Sequence, residues 1–150
     1  MKKRMLTLLA LLSALVWITA ALCQAAATAA AATEKGEAYI LSLSGSRGKM
    51  TAQGTVGSDP KCYTSLRNIY STTINAYVKV TEYDLATGGI AAYKSASSAA
   101  LGSGSAVATS GLSREPDNEL RKYVHYAKVK DYRNPATVID ELSYYIDQVD

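Results

Sequence analysis

The stretch "TINAYVKVTEYD", residues 73–84, decides the fold class because it alternates without interruption. Ile74, Ala76, Val78 and Val80 share one side, and Tyr77, Lys79, Thr81 and Tyr83 share the other. Successive side chains of an extended strand point to opposite faces, so this is a strand with one face on a core and the other toward water. "DLATGG", residues 84–89, reads as the turn that follows, and "GIAAYKS", residues 89–95, as the returning strand.

The same texture extends in both directions. In "EAYILSLSG", residues 37–45, Tyr39, Leu41 and Leu43 share a face, and in "KMTAQGTVG", residues 49–57, Met50, Ala52 and Val56 do so. The glycines of "SGSRG" between them suit a tight hairpin connection, so residues 37–56 read as a hairpin. "KYVHYAKVKDY", residues 122–132, sets Tyr123, His125, Ala127 and Val129 against Val124, Tyr126, Lys128, Lys130 and Tyr132.

Three stretches break the alternation. "SDPKCYTSLRNIYS", residues 58–71, has helical spacing at Tyr63, Leu66 and Tyr70, continued by Ile74, amid Ser, Thr and Asn, and is expected to be irregular with at most one helical turn. "SASSAALGSGSAVATSGLS", residues 95–113, is a small-residue run in which "SAVATS" is favoured as a short strand, because an unstructured loop of that length is unusual in a compact domain. In "NPATVIDELSYYIDQVD", residues 134–150, Pro135 follows a capping Asn134, while Val138, Leu142, Tyr145 and Val149 recur at helical spacing. An amphipathic C-terminal helix is expected there, with a last sheet strand as its rival. The resulting expectation is a mainly β fold, an antiparallel β-sandwich of about six strands with a short C-terminal helix.

The first residues carry a different signal. Lys2, Lys3 and Arg4 precede an uncharged apolar run from Met5 to Leu22, and small residues then accumulate as signal peptidase requires. Residues 1–32 are read as a signal peptide with an alanine-rich cleavage region, and residues 33–150 as one secreted domain. Cleavage is expected between Ala25 and Ala32, discarding Cys23 and leaving Cys62 alone. A retained anchor is the weaker alternative, because no basic residue follows the apolar segment to hold it. The compartment is therefore secreted or extracytoplasmic, and the texture resembles small exported β-sandwich proteins of bacteria.

Export changes the charge balance. The chain has 16 basic and 13 acidic residues, and three of the basic ones lie in the leader, so the remainder is formally neutral. A neutral exported chain has no electrostatic footprint for phosphate backbones, which argues against nucleic acid as a partner. Phenylalanine is absent and Trp17 lies in the leader, so eleven tyrosines carry the aromatic content of the domain.

No motif marks a reaction. One histidine and two cysteines lack the paired spacing of a zinc site, and "GSGS", residues 102–105, lacks the lysine of a phosphate loop. No metal, cofactor or catalytic set is therefore expected. The leading expectation is a non-enzymatic binding or interaction module, presenting Tyr77, Lys79, Tyr83, Tyr126, Lys128, Lys130 and Tyr132 to cell-wall polymer or a surface protein. Membrane contact is expected only through the leader, if uncleaved. Self-association is a further candidate, either through exposed sheet edges or through Cys62 as an intermolecular thiol. Two rivals are a bacteriocin-like or antagonist effector acting through residues 134–150, and a small hydrolase using His125. The basic run Arg121 to Arg133 and the acidic residues Asp140, Glu141, Asp147 and Asp150 are read as neighbours that compensate each other, against a bipolar binding surface.

Overall fold

The computed structural model describes residues 25–34 and 36–149, so most of the expected leader, with Cys23, lies outside the described residues. The described chain is mainly β and forms two sheets with no helix among its residues. The strands are β1 (Ala25–Glu34), β2 (Tyr39–Ser44), β3 (Gly48–Gly54), β4 (Lys61–Asn68), β5 (Ile74–Asp84), β6 (Gly89–Leu101), β7 (Ala106–Ala108), β8 (Leu112–Ser113), β9 (Arg121–Asp131) and β10 (Val138–Val149). One sheet has the order β1-β10-β9-β5-β6, and the other β2-β3-β4-β7 with β8 also paired to β4.

The alternation in residues 73–84 produces the centre of the first sheet. Ile74, Ala76, Val78 and Val80 are fully buried, and β5 pairs antiparallel with both β6 and β9. The inward residues of β9, namely Tyr123, His125, Ala127 and Val129, lie beside them and are equally buried. From the second sheet come Met50, Ala52, Cys62 and Leu66. Both apolar clusters draw on the two sheets: Met50 and Leu66 pack with Ile74, Val78 and Val129, and Tyr39, Ala52 and Cys62 pack with Val80 and Tyr123. Burial of these faces against each other supplies the main driving force for the fold.

Four expectations are corrected. Residues 61–68 form a regular strand: Cys62, Thr64, Leu66 and Asn68 all point inward, and the polar pair among them is hydrogen-bonded. The C-terminal segment is strand β10, antiparallel to β9, so there is no amphipathic helix to serve as an effector element. The strands number ten among the described residues, more than six. Finally, the fold is not wholly antiparallel, since β1 runs parallel to β10 over ten residue pairs. The alanine tract read as a cleavage region thus forms an edge strand, with Ala27 and Ala31 packed on the core.

Other expectations hold. The hairpin of residues 37–56 is β2 and β3, "SAVATS" contains β7, and "DLATGG" turns β5 into β6. The small-residue run up to Leu101 continues β6 instead of ending it, because each residue needs only to ladder its backbone onto central strand β5 at a sheet edge. Gly54 faces Tyr39 across the hairpin, and a Cβ there would sit 2.3 Å from the Tyr39 ring, so only glycine lets that ring lie flat over the strand.

Candidate functional site

Register gathers most of the residues nominated from the sequence. On the outer face of the first sheet Tyr77 lies opposite Lys128, Lys79 opposite Tyr126, and Tyr83 opposite Lys122, with Lys130 opposite Asn75. Tyr77 and Tyr126 meet edge to face at 6.2 Å, and Lys79 lies 4.8 Å from the centre of the Tyr93 ring. The strand pairing also brings the acidic β10 beside the basic β9: Lys128 reaches Glu141 at 3.0 Å and Lys122 reaches Asp147 at 3.2 Å. Tyr126 donates a short hydrogen bond to the Glu141 carboxylate. That bond and the Lys128 ammonium hold the Glu141 carboxyl below the usual range. The Lys122 and Lys128 charges of this face are therefore spent on the acids of β10. Tyr83 lies at one end, in a groove of about 270 Å³ with Leu85, Lys122 and Tyr145.

The opposite end is built differently. Tyr132 leaves the sheet there and joins a cleft of about 490 Å³ with Arg47, Tyr70, Thr72, Asp131 and Arg133. Three loops form it, and each is fastened by one side chain. The β2–β3 loop is held by Asp140, a fully buried carboxylate of β10 that accepts from the backbone N–H groups of Ser46, Arg47 and Gly48 and from the Ser46 hydroxyl, at 2.7–2.9 Å. A Cβ on Gly45 would sit 2.5 Å from that carboxyl carbon, so the loop closes on Asp140 only with glycine at this position. The β4–β5 loop is held by buried Asn68, whose amide donates to the carbonyls of Thr72 and Leu101 and whose oxygen accepts from the Tyr70 N–H. The β9–β10 loop is held by Asp131, which accepts from the N–H groups of Arg133 and Asn134 at 2.8 and 3.0 Å. The bonds from Asn134 and Arg133 keep the Asp131 carboxyl below its ordinary pKa.

Within the cleft the Arg47 guanidinium stacks 4.4 Å from the Tyr70 ring centre and lies 3.7 Å from Asp131. Among the described residues Arg133 makes no ion pair, and Tyr70 and Tyr132 are 39% and 51% exposed. Two arginines and one carboxylate leave the cleft with one net positive charge beside two accessible aromatic rings. Arg47, Tyr70 and Thr72 could not be nominated from sequence, since nothing local to "SGSRG" or "NIYSTT" shows that these loops meet.

His125 and Cys62 belong to a third arrangement, inside the core. The Thr64 hydroxyl donates to the Lys79 carbonyl at 3.0 Å, so its oxygen can only accept from His125 Nδ1–H, 2.9 Å away. Nε2 is then bare and accepts from the Tyr39 hydroxyl at 2.8 Å, and the Tyr39 oxygen accepts in turn from the Cys62 thiol at 3.4 Å. Arg114, also buried, stacks 4.9 Å from the Tyr39 ring centre and donates to the Thr55 carbonyl. The chain of donors has one direction and every member is buried; Tyr39 is the most exposed at 6%. Burial pushes the His125 pKa down to about 4 and the Cys62 thiol up to about 11. A histidine held neutral, a thiol held protonated and no route to solvent describe a polar strut between sheets. Cys62 accordingly presents no sulfur to a second molecule. No group of three or more potential metal ligands occurs among the described residues.

No protein family and no curated protein matches this sequence. Partial likenesses occur among solved structures. Bacteroides uniformis beta-glucuronidase 2, covalently bound to cyclophellitol-6-carboxylate aziridine, superposes with a TM-score of 0.39 at 13% identity over 74% of this chain. A second Bacteroides uniformis beta-glucuronidase structure gives a TM-score of 0.38 at 13% identity, and a glycoside hydrolase family 2 beta-glucuronidase gives 0.37 at 14%. The chain spans 13%, 13% and 11% of those proteins' lengths.

Proposed function

We propose that this chain is an exported, non-enzymatic binding module of a bacterial cell, a β-sandwich whose ligand site is the cleft at the Arg47 end. The observation that carries this reading is the fastening of three loops by Asp140, Asn68 and Asp131. Asp84 and Gln148 fasten loops at the other end as well, but here the fixed loops surround a cleft with net positive charge and two exposed aromatic rings, and a binding surface gains affinity from fixing because less freedom is lost when the ligand arrives. The expected partners remain cell-wall polymer or a surface protein. The outer Tyr–Lys face is the weaker candidate, since Lys122 and Lys128 already have carboxylate partners and Lys79 an aromatic one.

The test is retention of the processed protein on isolated cell-wall material, compared with the Arg47→Ala/Arg133→Ala variant. Loss of retention in that variant, with an unchanged melting curve, supports the cleft. Retention unaffected by the pair but lost in Lys79→Ala/Lys130→Ala moves the site to the sheet face.

A further inference from the structure

We infer that the cleft takes a carboxylate-bearing saccharide unit of an acidic polymer; this rests on the cleft being the binding site. The floor is charged but incompletely neutralised. Asp131 spends one oxygen on two backbone N–H groups and turns the other toward Arg47, and Arg133, though near enough to help hold Asp131 ionised, makes no ion pair among the described residues. A guanidinium offers paired parallel N–H donors that fit a planar carboxylate, so the ligand should bring that group. The walls supply the rest of the recognition. Tyr132 and the part of Tyr70 not covered by Arg47 are exposed aromatic surface with polar tips, and Thr72 and Thr73 add hydroxyls of either hydrogen-bonding sense. A pyranose ring has the matching duality, with flat C–H faces and a rim of hydroxyls.

An acidic peptide fits less well. Peptides gain much of their affinity by adding a strand to an open sheet edge, whereas this cleft is made from loops and strand ends, with β5 and β9 both paired on each side. The volume, about 490 Å³, lies in the usual range for small-ligand sites and accommodates a short saccharide segment in place of a folded partner.

The test is calorimetric titration of the processed protein with a galacturonic acid tetrasaccharide, its methyl ester and an acidic tetrapeptide. Binding of the free acid, with affinity reduced about tenfold or more in the ester and in Arg133→Ala, is the expected result. Lys94→Ala, on the distant edge strand, should bind as the parent does. Equal affinity for acid and ester, or preference for the tetrapeptide, overturns the ligand class. If no probe binds while cell-wall retention still depends on Arg47 and Arg133, the ligand class is overturned and the cleft remains the site. If retention is also indifferent to both arginines, the two readings fall together.

Discussion

Acidification should destabilise this protein through His125. The imidazole has no exposed surface, and burial holds its pKa near 4 against 6.5 for a free side chain. A basic group with a depressed folded pKa contributes no penalty above the unfolded pKa, where it is neutral in both states. As pH falls below 6.5 the unfolded chain takes up a proton that the native core refuses, so stability declines down to pH 4 and then levels. The full loss is about 3 kcal/mol, of which about 2 kcal/mol is already gone at pH 5. Glu82 works the other way: desolvation raises its pKa, so its protonation on acidification partly relieves the native state. Comparison with His125→Gln removes that contribution, because Glu82 is common to both proteins. Urea unfolding at pH 7.5 and pH 5 should show the parent losing about 2 kcal/mol more than the variant over that interval, whatever their absolute stabilities. Parallel losses would show that His125 titrates normally, and the directed chain from Cys62 to Lys79 would then be wrong.

Asp140→Ala leaves three backbone N–H groups of the β2–β3 loop without their acceptor and should destabilise the fold by about 2–4 kcal/mol in chemical denaturation, while weakening any ligand held by Arg47. Gly54→Ala forces the Tyr39 ring off the strand and should cost about 1–3 kcal/mol; unchanged stability would mean that the ring moves freely. Cys62 should resist a thiol reagent in the native protein and react fully in denaturant, and non-reducing electrophoresis should show monomer; rapid native labelling would contradict its burial. In a double-mutant cycle, the pair Lys128→Ala and Glu141→Ala should show coupling of no more than about 1 kcal/mol, diminished by salt, because both side chains are partly in water.

The central strands were legible because apolar residues dominate their inward sides, with His125 and Glu82 as the polar exceptions. In β5 and β9 alternation dominates every other local signal, and the nominated outer residues from Tyr77 to Lys130 did fall on one face. Where inward positions are polar, the pattern misleads. β10 turns Asp140, Leu142, Tyr144, Ile146 and Gln148 toward the interior, and with polar residues at both ends of that series the helical spacing of Val138, Leu142, Tyr145 and Val149 stands out. Those polar residues are the ones that fasten loops: Asp140 holds residues 46–48, and the Gln148 amide donates to the carbonyls of Glu115 and Asn118 at 2.7 Å. β4 was obscured similarly by Thr64 and Asn68, one supporting His125 and the other the Tyr70 loop. The cleft was illegible for a related reason, since its parts come from three loops whose ends lie more than 80 residues apart, and no local pattern shows that they meet. Charge order was easier, because the basic and acidic runs are consecutive strands whose pairing follows from a single turn.

The parallel pairing of β1 with β10 gives the expected signal-peptide cleavage a second consequence. A cut on the amino side of Ala25 leaves the alanine strand in place as a sleeve along the last strand of the sheet. A cut at Ala32 removes most of that sleeve, and the backbone donors and acceptors of β10 along this edge then face open solvent. One bond cleaved a few residues earlier or later would thus separate a chain that closes its own sheet from one that presents a template for a neighbour's strand, and maturation would set the assembly state as well as the address.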